Sequence, residues 1–505
     1  MSESLLALVP LDSRPCNHRF PEQLAAIDNT QLLVPPIEIL GDLHSPGNAQ
    51  AVRDWVSKLP EVEALIVSID MLAYGGLVFS RRPTTPQEEA LERLQVLREF
   101  KAQRPSTPIY AFNILMRLAI TMDSDAAAAN YYNIMRYARL VDEAERFQSE
   151  YLREQLAQVK AEIAPEVLQQ YLAARARNHQ INGQMIEWLG EGIFDYLLIT
   201  QEDAAEFGLH RREQDALLKA ASELNVGSKM SLHPGADEAA MTLLARHWNT
   251  QVKFRVRWSS LEDSRRIAPF EDRPFDDSLY QHVEALNGVL VEDGDADFEF
   301  FINAPVGGWN KDEDDATRAL RAARLNGFVR DIESALQAGK RVALCDVAFP
   351  NGADDVLMNA LDKRGLFGQL SAYGGWNTAG NTLGTVLSQC AAVFHGAPNG
   401  ELDFEHSELN RQFVFERLLD DWFYQSRVRA RIEKTARDNG VSPLDLNGGE
   451  ELVEAQARRE LRNYGSMLAS RHFKSTLQRC EVSLPWHRTF EVDLRAKLTP
   501  NKPNL

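Results

Sequence analysis

Short runs of consecutive apolar residues, each bounded by polar or turn-forming positions, recur along most of the chain. In the N-terminal half they are LLALVPL (5–11), QLLVPP (31–36), EALIVSID (63–70) and PIYAFNIL (108–115). The series continues with DYLLIT (195–200), KMSLHP (229–234), VKFRVRW (252–258), FEFFINA (298–304), RVALCDVA (341–348) and QLSAYGG (369–375). Runs of this length without alternation suit strands buried on both faces, as in parallel sheets. Between them lie stretches with helical spacing. These are near Pro21–Ile27, at 51–59, in the amphipathic QEEALERLQVLREFKAQ (87–103), and around 211–224, 237–248, 315–338 and 353–363. A polar segment follows VKFRVRW. Strands alternating with helices predict an α/β fold with a mostly parallel sheet built from repeated βα units. The strand candidates fit two doubly wound lobes; alternatively, a subset of them closes a single TIM-like barrel with additions.

From about Asp123 to Gln180 the pattern changes to helical, charged and glycine-poor, with Pro165 marking a break or a helix start. This stretch reads as a helical insertion with most of its charge on a solvated face. The tail after about Gly400 is mostly helical, with a loop at 446–449 and a Pro- and Asn-containing end that is expected to fray. The expected partition is an N-terminal α/β lobe (1–122), a helical insertion (123–190), a second α/β lobe (191–400) and a helical C-terminal region (401–505).

A length of 505 residues supports two or three domains. Apolar residues are 44% and charged residues 25%, as in an ordinary globular protein. The net charge of −18 argues against nucleic acid and anionic membrane surfaces, both of which require clustered Lys and Arg. What fits is a soluble, acidic protein, most simply an enzyme acting on a small neutral or cationic substrate. Cys16, Cys345, Cys390 and Cys480 lie far apart with no CxxC, which predicts reduced thiols in a cytosol. The opening MSESLLALVPLDSRP has no basic n-region, so no export signal is expected. No apolar run is long enough to span a membrane.

Both α/β architectures bind ligands at the carboxyl ends of strands, and polar residues gather there in this chain. Asp12, Arg14 and Asn17 follow the first run; Asp70, Tyr74 and Arg81 follow the third; Asn113 and Arg117 end the fourth. Gln201-Glu202-Asp203 and His233-Pro-Gly-Ala-Asp237-Glu238 come next, then Asn303. Asp346 with Asn351 and Asp354, then Trp376, Asn377 and Asn381, close the series. A charge beside an apolar run needs a partner, so a pair such as Asp12–Arg14 reads either as an internal brace or as a piece of a site. Adjacent Asp237 and Glu238 suit acid/base chemistry, where different surroundings separate two carboxyl pKa values. Their structural reading is a helix cap and a first-turn acid. The Gly-rich GWNTAGN combines a flat indole with amide groups, which suits a sugar ring, or else forms a tight turn. Asp346, Asp354 and Asp355 could hold a divalent cation, although turn and capping roles are favoured, so no cofactor is expected. His18 and His233 read as structural, and without HExxH or HxH zinc is disfavoured. No GxSxG is present, which argues against a nucleophile-elbow hydrolase.

PLDSRPCN, SIDMLAYGGLVFSR, FNILMR, HPGADE, DVAFPNGADD and GWNTAGNTLG together resemble the recurring blocks of a bacterial family catalogued as domain of unknown function 4127. The resemblance runs from about residue 5 to 390 and supplies a grouping, with a link to sugar utilisation, rather than a mechanism. The resulting expectation is a carbohydrate-active hydrolase of glycosidase type. Asp237 and Glu238 are the first catalytic candidates, with Asp203, Asp70 and Asp12 as partners. Arg14, Asn17, Tyr74, Arg81, Asn113, Arg117, Asn351, Asp354, Trp376, Asn377 and Asn381 would bind substrate. Several arginines in an acidic protein point to a carboxylate or phosphate on that sugar. The alternatives are a metal-assisted hydrolase or lyase using Asp12, Asp70 and Asp346, and a non-catalytic sugar- or metabolite-binding protein.

Overall fold

The computed structural model describes residues 4–122, 125–305, 314–397 and 400–501. The chain divides into two compact units. The first holds residues 1–22, 30–247 and 270–273, and the second holds 23–29, 248–269 and 274–505. All of the apolar runs form strands, and each unit is a doubly wound α/β structure on its own parallel sheet.

The first unit carries β1 (Ser4–Val9), β2 (Thr30–Leu33), β3 (Ala64–Ser68), β4 (Ile109–Leu115), β5 (Tyr196–Gln201) and β6 (Met230–Pro234). They are all parallel, in the order β2-β1-β3-β4-β5-β6. β3 and β5 are buried along their whole length, as uninterrupted ALIVS and YLLITQ require when helices cover both faces. Ala7, Val9, Leu65 and Val67 share a core with Leu94 and Leu97 of the helix Gln87–Gln103. The strand order reverses between β1 and β3. In sheets of this kind the crevice outside the strand carboxyl ends opens at such a reversal.

Between β4 and β5 the chain forms three helices, Asp125–Arg146, Glu150–Glu162 and Pro165–Gly190. Pro165 begins the third, where its missing N–H leaves no bond unmade. Ile134, Ala138, Val159, Ile163 and Leu168 form a separate apolar cluster. The third helix does more than present a solvated face, because Arg175, Arg177, Asn178 and Asn182 on it are buried. Tyr171, Arg175, Asn178 and Asn182 recur at the spacing of one helix face. The Tyr171 hydroxyl donates to the Leu118 carbonyl, and Arg175 donates to the carbonyls of Met116 and Arg117. Neighbouring Arg177 donates to those of Ser80, Arg82 and Thr85. A helix from the stretch expected to be solvated thus holds the loops after β3 and β4 in place.

The second unit carries β7 (Lys253–Trp258), β8 (Val289–Leu290), β9 (Phe298–Asn303), β10 (Val342–Asp346) and β11 (Ala372–Gly374). These are again parallel, in the order β11-β10-β9-β7-β8. Two-residue β8 is too short to show in the sequence pattern, and the polar segment after β7 contains the helix Phe275–Ala285. The tail is helical to His472, and its helix Phe404–Arg417 runs on through a π-helical stretch, Leu418–Val428. It then closes with an unanticipated antiparallel hairpin, β12 (Ser475–Ser483) and β13 (Asp493–Pro500). The buried positions of β12 alternate, but a bulge between Leu477 and Arg479 shifts the phase and hides the period of two.

Candidate functional site

The chain leaves β1 through Pro10 and Leu11, and Asp12 then folds back onto Arg14. Asp12 accepts from the Arg14 backbone N–H at 3.0 Å and from its guanidinium, with Nη2 to Oδ2 at 2.8 Å. The same guanidinium grips Asp237 from the loop after β6, with Nη2 to Oδ1 at 2.6 Å and Nη1 to Oδ2 at 3.2 Å. Asn17 Nδ2 joins both carboxylates, at 2.9 Å from Asp12 and 3.1 Å from Asp237. All four side chains are buried. Burial pushes the Asp237 carboxyl up to about 6; Arg14 opposes the rise, and the Asp12 charge adds to it.

Glu238 is spent differently from its neighbour. Its Oε2 accepts from the Ala236 N–H at 2.8 Å, which closes the HPGADE turn just before the helix Ala239–Trp248. Gly235 has φ +135°, and a Cβ there would lie 1.9 Å from Glu238 Oε1, so only glycine leaves room for this carboxylate. His233 Nδ1 lies 3.0 Å from the Pro234 carbonyl and 3.9 Å from Glu238 Oε1. His18 lies on the helix Arg19–Ile27 side of its loop, 3.3 Å from Glu22.

A second group gathers residues from the loops after β3, β4 and β5. Arg81 pairs with Glu202, Nε to Oε2 at 3.2 Å, and donates to Thr121 Oγ1 at 2.9 Å. Arg117 pairs with Asp203, donates to the Tyr131 hydroxyl at 3.2 Å and lies 3.8 Å from Glu202. Asp203 has φ +33°, a conformation uncommon outside glycine and concentrated at functional sites. Burial draws Arg81 down to about 10 against the pull of Glu202, and the Arg117 and Arg14 charges lower it further. Arg117 stays above its ordinary value, since Glu202 and Tyr131 together outweigh its burial. Arg14 acts on both of the other guanidiniums, so the two groups share one electrostatic field above the sheet.

Asp70 sits behind the Arg81–Glu202 pair, in the helix Ile69–Tyr74 that leaves β3 under a Ser68 cap. Its Oδ2 accepts from the Ile114 N–H at 2.8 Å. Burial pushes this carboxyl up to about 7; the Ile114 and Ser80 hydrogen bonds oppose the rise, and the Glu202 charge adds to it. Asn113 Nδ2 donates to Asn182 Oδ1 at 2.9 Å. Tyr74 lies buried beneath the Arg177 guanidinium, 4.1 Å from its ring centroid.

The remaining candidates lie in the second unit, around the ends of β9, β10 and β11. Asn303 Nδ2 joins Asp346 at 2.9 Å and Asp354 at 3.2 Å, and Asp346 accepts from the Asp354 N–H at 2.7 Å. Asp354 also caps the helix Asp355–Arg364 and pairs with Arg321. Asp355 is held by Arg427 and the Trp422 indole N–H. Asn351 and Asn377 adopt left-handed backbone, with φ of +56° and +71°, and Asn351 N–H donates to the Asn377 carbonyl at 3.0 Å. Asn381 donates to Thr378, the cap of the helix Ala379–Gly396, and Trp376 is buried beside it.

Sequence reasoning passed over Asp420, Asp421 and Arg417 in the π-helical stretch, and it gave no role to Glu202. Arg417 Nη1 donates to Asp420 at 3.1 Å and Asp421 at 2.9 Å, while Asp421 accepts from the Gly375 N–H at 2.8 Å. Burial pushes Asp421 up to about 7; Arg417 opposes this, and Asp420 and Asp346 add to it. The available signal was a pair of acids inside the apolar run FVFERLLDDWFY (413–424), where a solvated charge pair is out of place.

The sequence model of a family described as a protein of unknown function, DUF4127, matches residues 6–495. This chain belongs to the DUF4127 family. In this DUF4127 protein the blocks PLDSRPCN, FNILMR and HPGADE are the loops that carry Arg14, Arg117 and Asp237. No curated protein and no solved structure matches it. Among its described residues no helix is long and apolar enough to cross a membrane.

Proposed function

We propose that this protein is a carbohydrate-active hydrolase of the glycosidase type, acting on a small sugar that bears a carboxylate or phosphate. The observation that carries the reading is the Asp237 carboxyl, raised to about 6 within a field shared by Arg14, Arg81 and Arg117. A carboxyl in that range is populated in both protonation states near neutrality, as a general acid requires. Guanidiniums gathered at strand ends recognise anionic oxygens by bidentate hydrogen bonds. In the reaction Asp237 gives its proton to the leaving glycosidic oxygen. Asp203, the most exposed of these carboxylates, takes a proton from the water whose oxygen bonds to the anomeric carbon. Asp12 orients Arg14, and Glu238 braces the turn that carries Asp237. Asp70 is the reserve proton site behind Arg81 and Glu202. The four buried cysteines, with no disulfide among them, support a reducing compartment such as the cytosol.

The test is a screen of aryl uronides, phosphorylated aryl glycosides and neutral aryl glycosides against the wild type, Asp237→Asn and Asp203→Asn. Turnover confined to anionic substrates and lost in both variants, with their melting temperatures kept, is the expected result. Binding with no product over hours would favour a binding protein instead. Turnover abolished by EDTA and restored by a divalent cation would favour metal-assisted chemistry.

A further inference from the structure

The first unit contains a cavity of about 500 Å³ next to the loop that follows β2 and the helix that follows β3. This size is within the range of small-molecule sites. None of Asp12, Arg14, Asp237, Arg81, Glu202 or Arg117 lines it.

One side of the lining is the start of the helix Ala49–Ser57. Asn48 caps this helix, its Oδ1 accepting from the Ala51 N–H at 3.0 Å. The N–H groups of Ala49 and Gln50, at the first two helical positions, have no acceptor inside the helix. Thr84 and Thr85 add hydroxyls, and the Glu89–Arg93 ion pair adds an acceptor and a donor of opposite charge.

Tyr74 completes the lining and is only 4% exposed. Its hydroxyl oxygen lies within reach of the Arg177 guanidinium, which can only donate to it, and the O–H itself has no acceptor among the described residues. Arg177 lies over the ring and also donates to the carbonyls of Ser80, Arg82 and Thr85 and to Asn178 Oδ1. A buried hydroxyl normally donates as well as accepts, so this one points to a missing acceptor. The backbone beside it is shaped by close approach. Gly47 N–H donates to the Gly75 carbonyl at 2.9 Å, and a Cβ on Gly75, where φ is +84°, would stand 2.7 Å from the Gly47 carbonyl oxygen.

The lining mixes donors with acceptors, and Glu89 and Arg93 cancel in charge. A bare anion would have the helix start in its favour but Glu89 against it. A molecule with several hydroxyls can accept from Tyr74 and the helix N–H groups while donating to Glu89 and the threonines. We propose that this cavity binds an uncharged polyhydroxylated small molecule of about monosaccharide size. This site is independent of the acid–arginine groups and of the hydrolase reading.

Isothermal titration of the full-length protein with glucose, N-acetylglucosamine, myo-inositol and, separately, inorganic phosphate tests the proposal. Expected is saturable binding of at least one uncharged probe, weakened about tenfold in Tyr74→Phe by loss of one hydrogen bond. Thr84→Trp, a substitution at an exposed position on the rim, should abolish binding by filling the mouth. Asp237→Asn should leave binding intact, which separates this site from the proposed active site. Failure of every uncharged probe, binding of phosphate alone, or binding that survives Thr84→Trp would overturn the proposal. If Tyr74→Phe does not fold, Thr84→Trp decides alone.

Discussion

Asp70 offers the sharpest test of the electrostatics at the strand ends. Its carboxyl is raised from 3.8 to about 7, chiefly by burial. A rise of that size corresponds to about 4 kcal/mol against the ionised form in the folded protein. The sign of the pH effect follows from proton uptake. Between the unfolded and folded values the native state binds more protons than the unfolded chain, so stability falls as pH rises from about 4 to about 7 and then levels off. Asp70→Asn keeps an oxygen to accept from the Ile114 N–H and removes the titration. Relative to that variant, the wild type should lose about 3 kcal/mol between pH 5 and pH 8. In a unit of this size that corresponds to roughly 6 °C in melting temperature. Differential scanning calorimetry of both proteins at pH 5, 6.5 and 8 measures the gap. A gap that stays constant across this range would refute the reasoning. So would an Asn variant that becomes the less stable protein at pH 8, because the ionised carboxylate would then be a favoured partner of a nearby arginine.

Three other outcomes follow from the same geometry. Arg14→Met should destabilise the first unit by about 3–5 kcal/mol, because it leaves Asp12 and Asp237 buried without their shared cation; urea unfolding checks this, and a change under 1 kcal/mol would mean that water already solvates the pair. Gly235→Ala should lower the melting temperature markedly, since its methyl group would collide with Glu238 Oε1, whereas Gly227→Ala, with open space around it, should change little. Asp421→Asn should repeat the Asp70 pattern in the second unit, with the wild type losing ground to the variant as pH rises towards about 7, read by the same calorimetry.

The strands were legible because their signal is local. ALIV and YLLI are unbroken apolar runs without alternation, as a strand covered on both faces requires, and both strands are buried along their whole length. The polar residues at strand ends were legible for a related reason, since α/β sheets leave that edge open to ligands. The β12–β13 hairpin was hidden because one bulge breaks its alternation. The buried arginines of the helix Pro165–Gly190 were hidden because a charged helix is ordinarily a solvated one.

By itself, then, the sequence determined most of the strands and helices of the two α/β sheets, the parallel character of those sheets, the family, and a short list of chemically capable residues. Only the tertiary structure decided how those residues are used. Asp237 and Glu238 are adjacent in the chain, yet one grips an arginine 223 positions away while the other closes its own turn. Secondary structure follows from spacing within a few residues, which the sequence displays directly. Partner choice and the resulting pKa depend on burial and on loops brought together from distant strands, and these exist only once the sheet has formed.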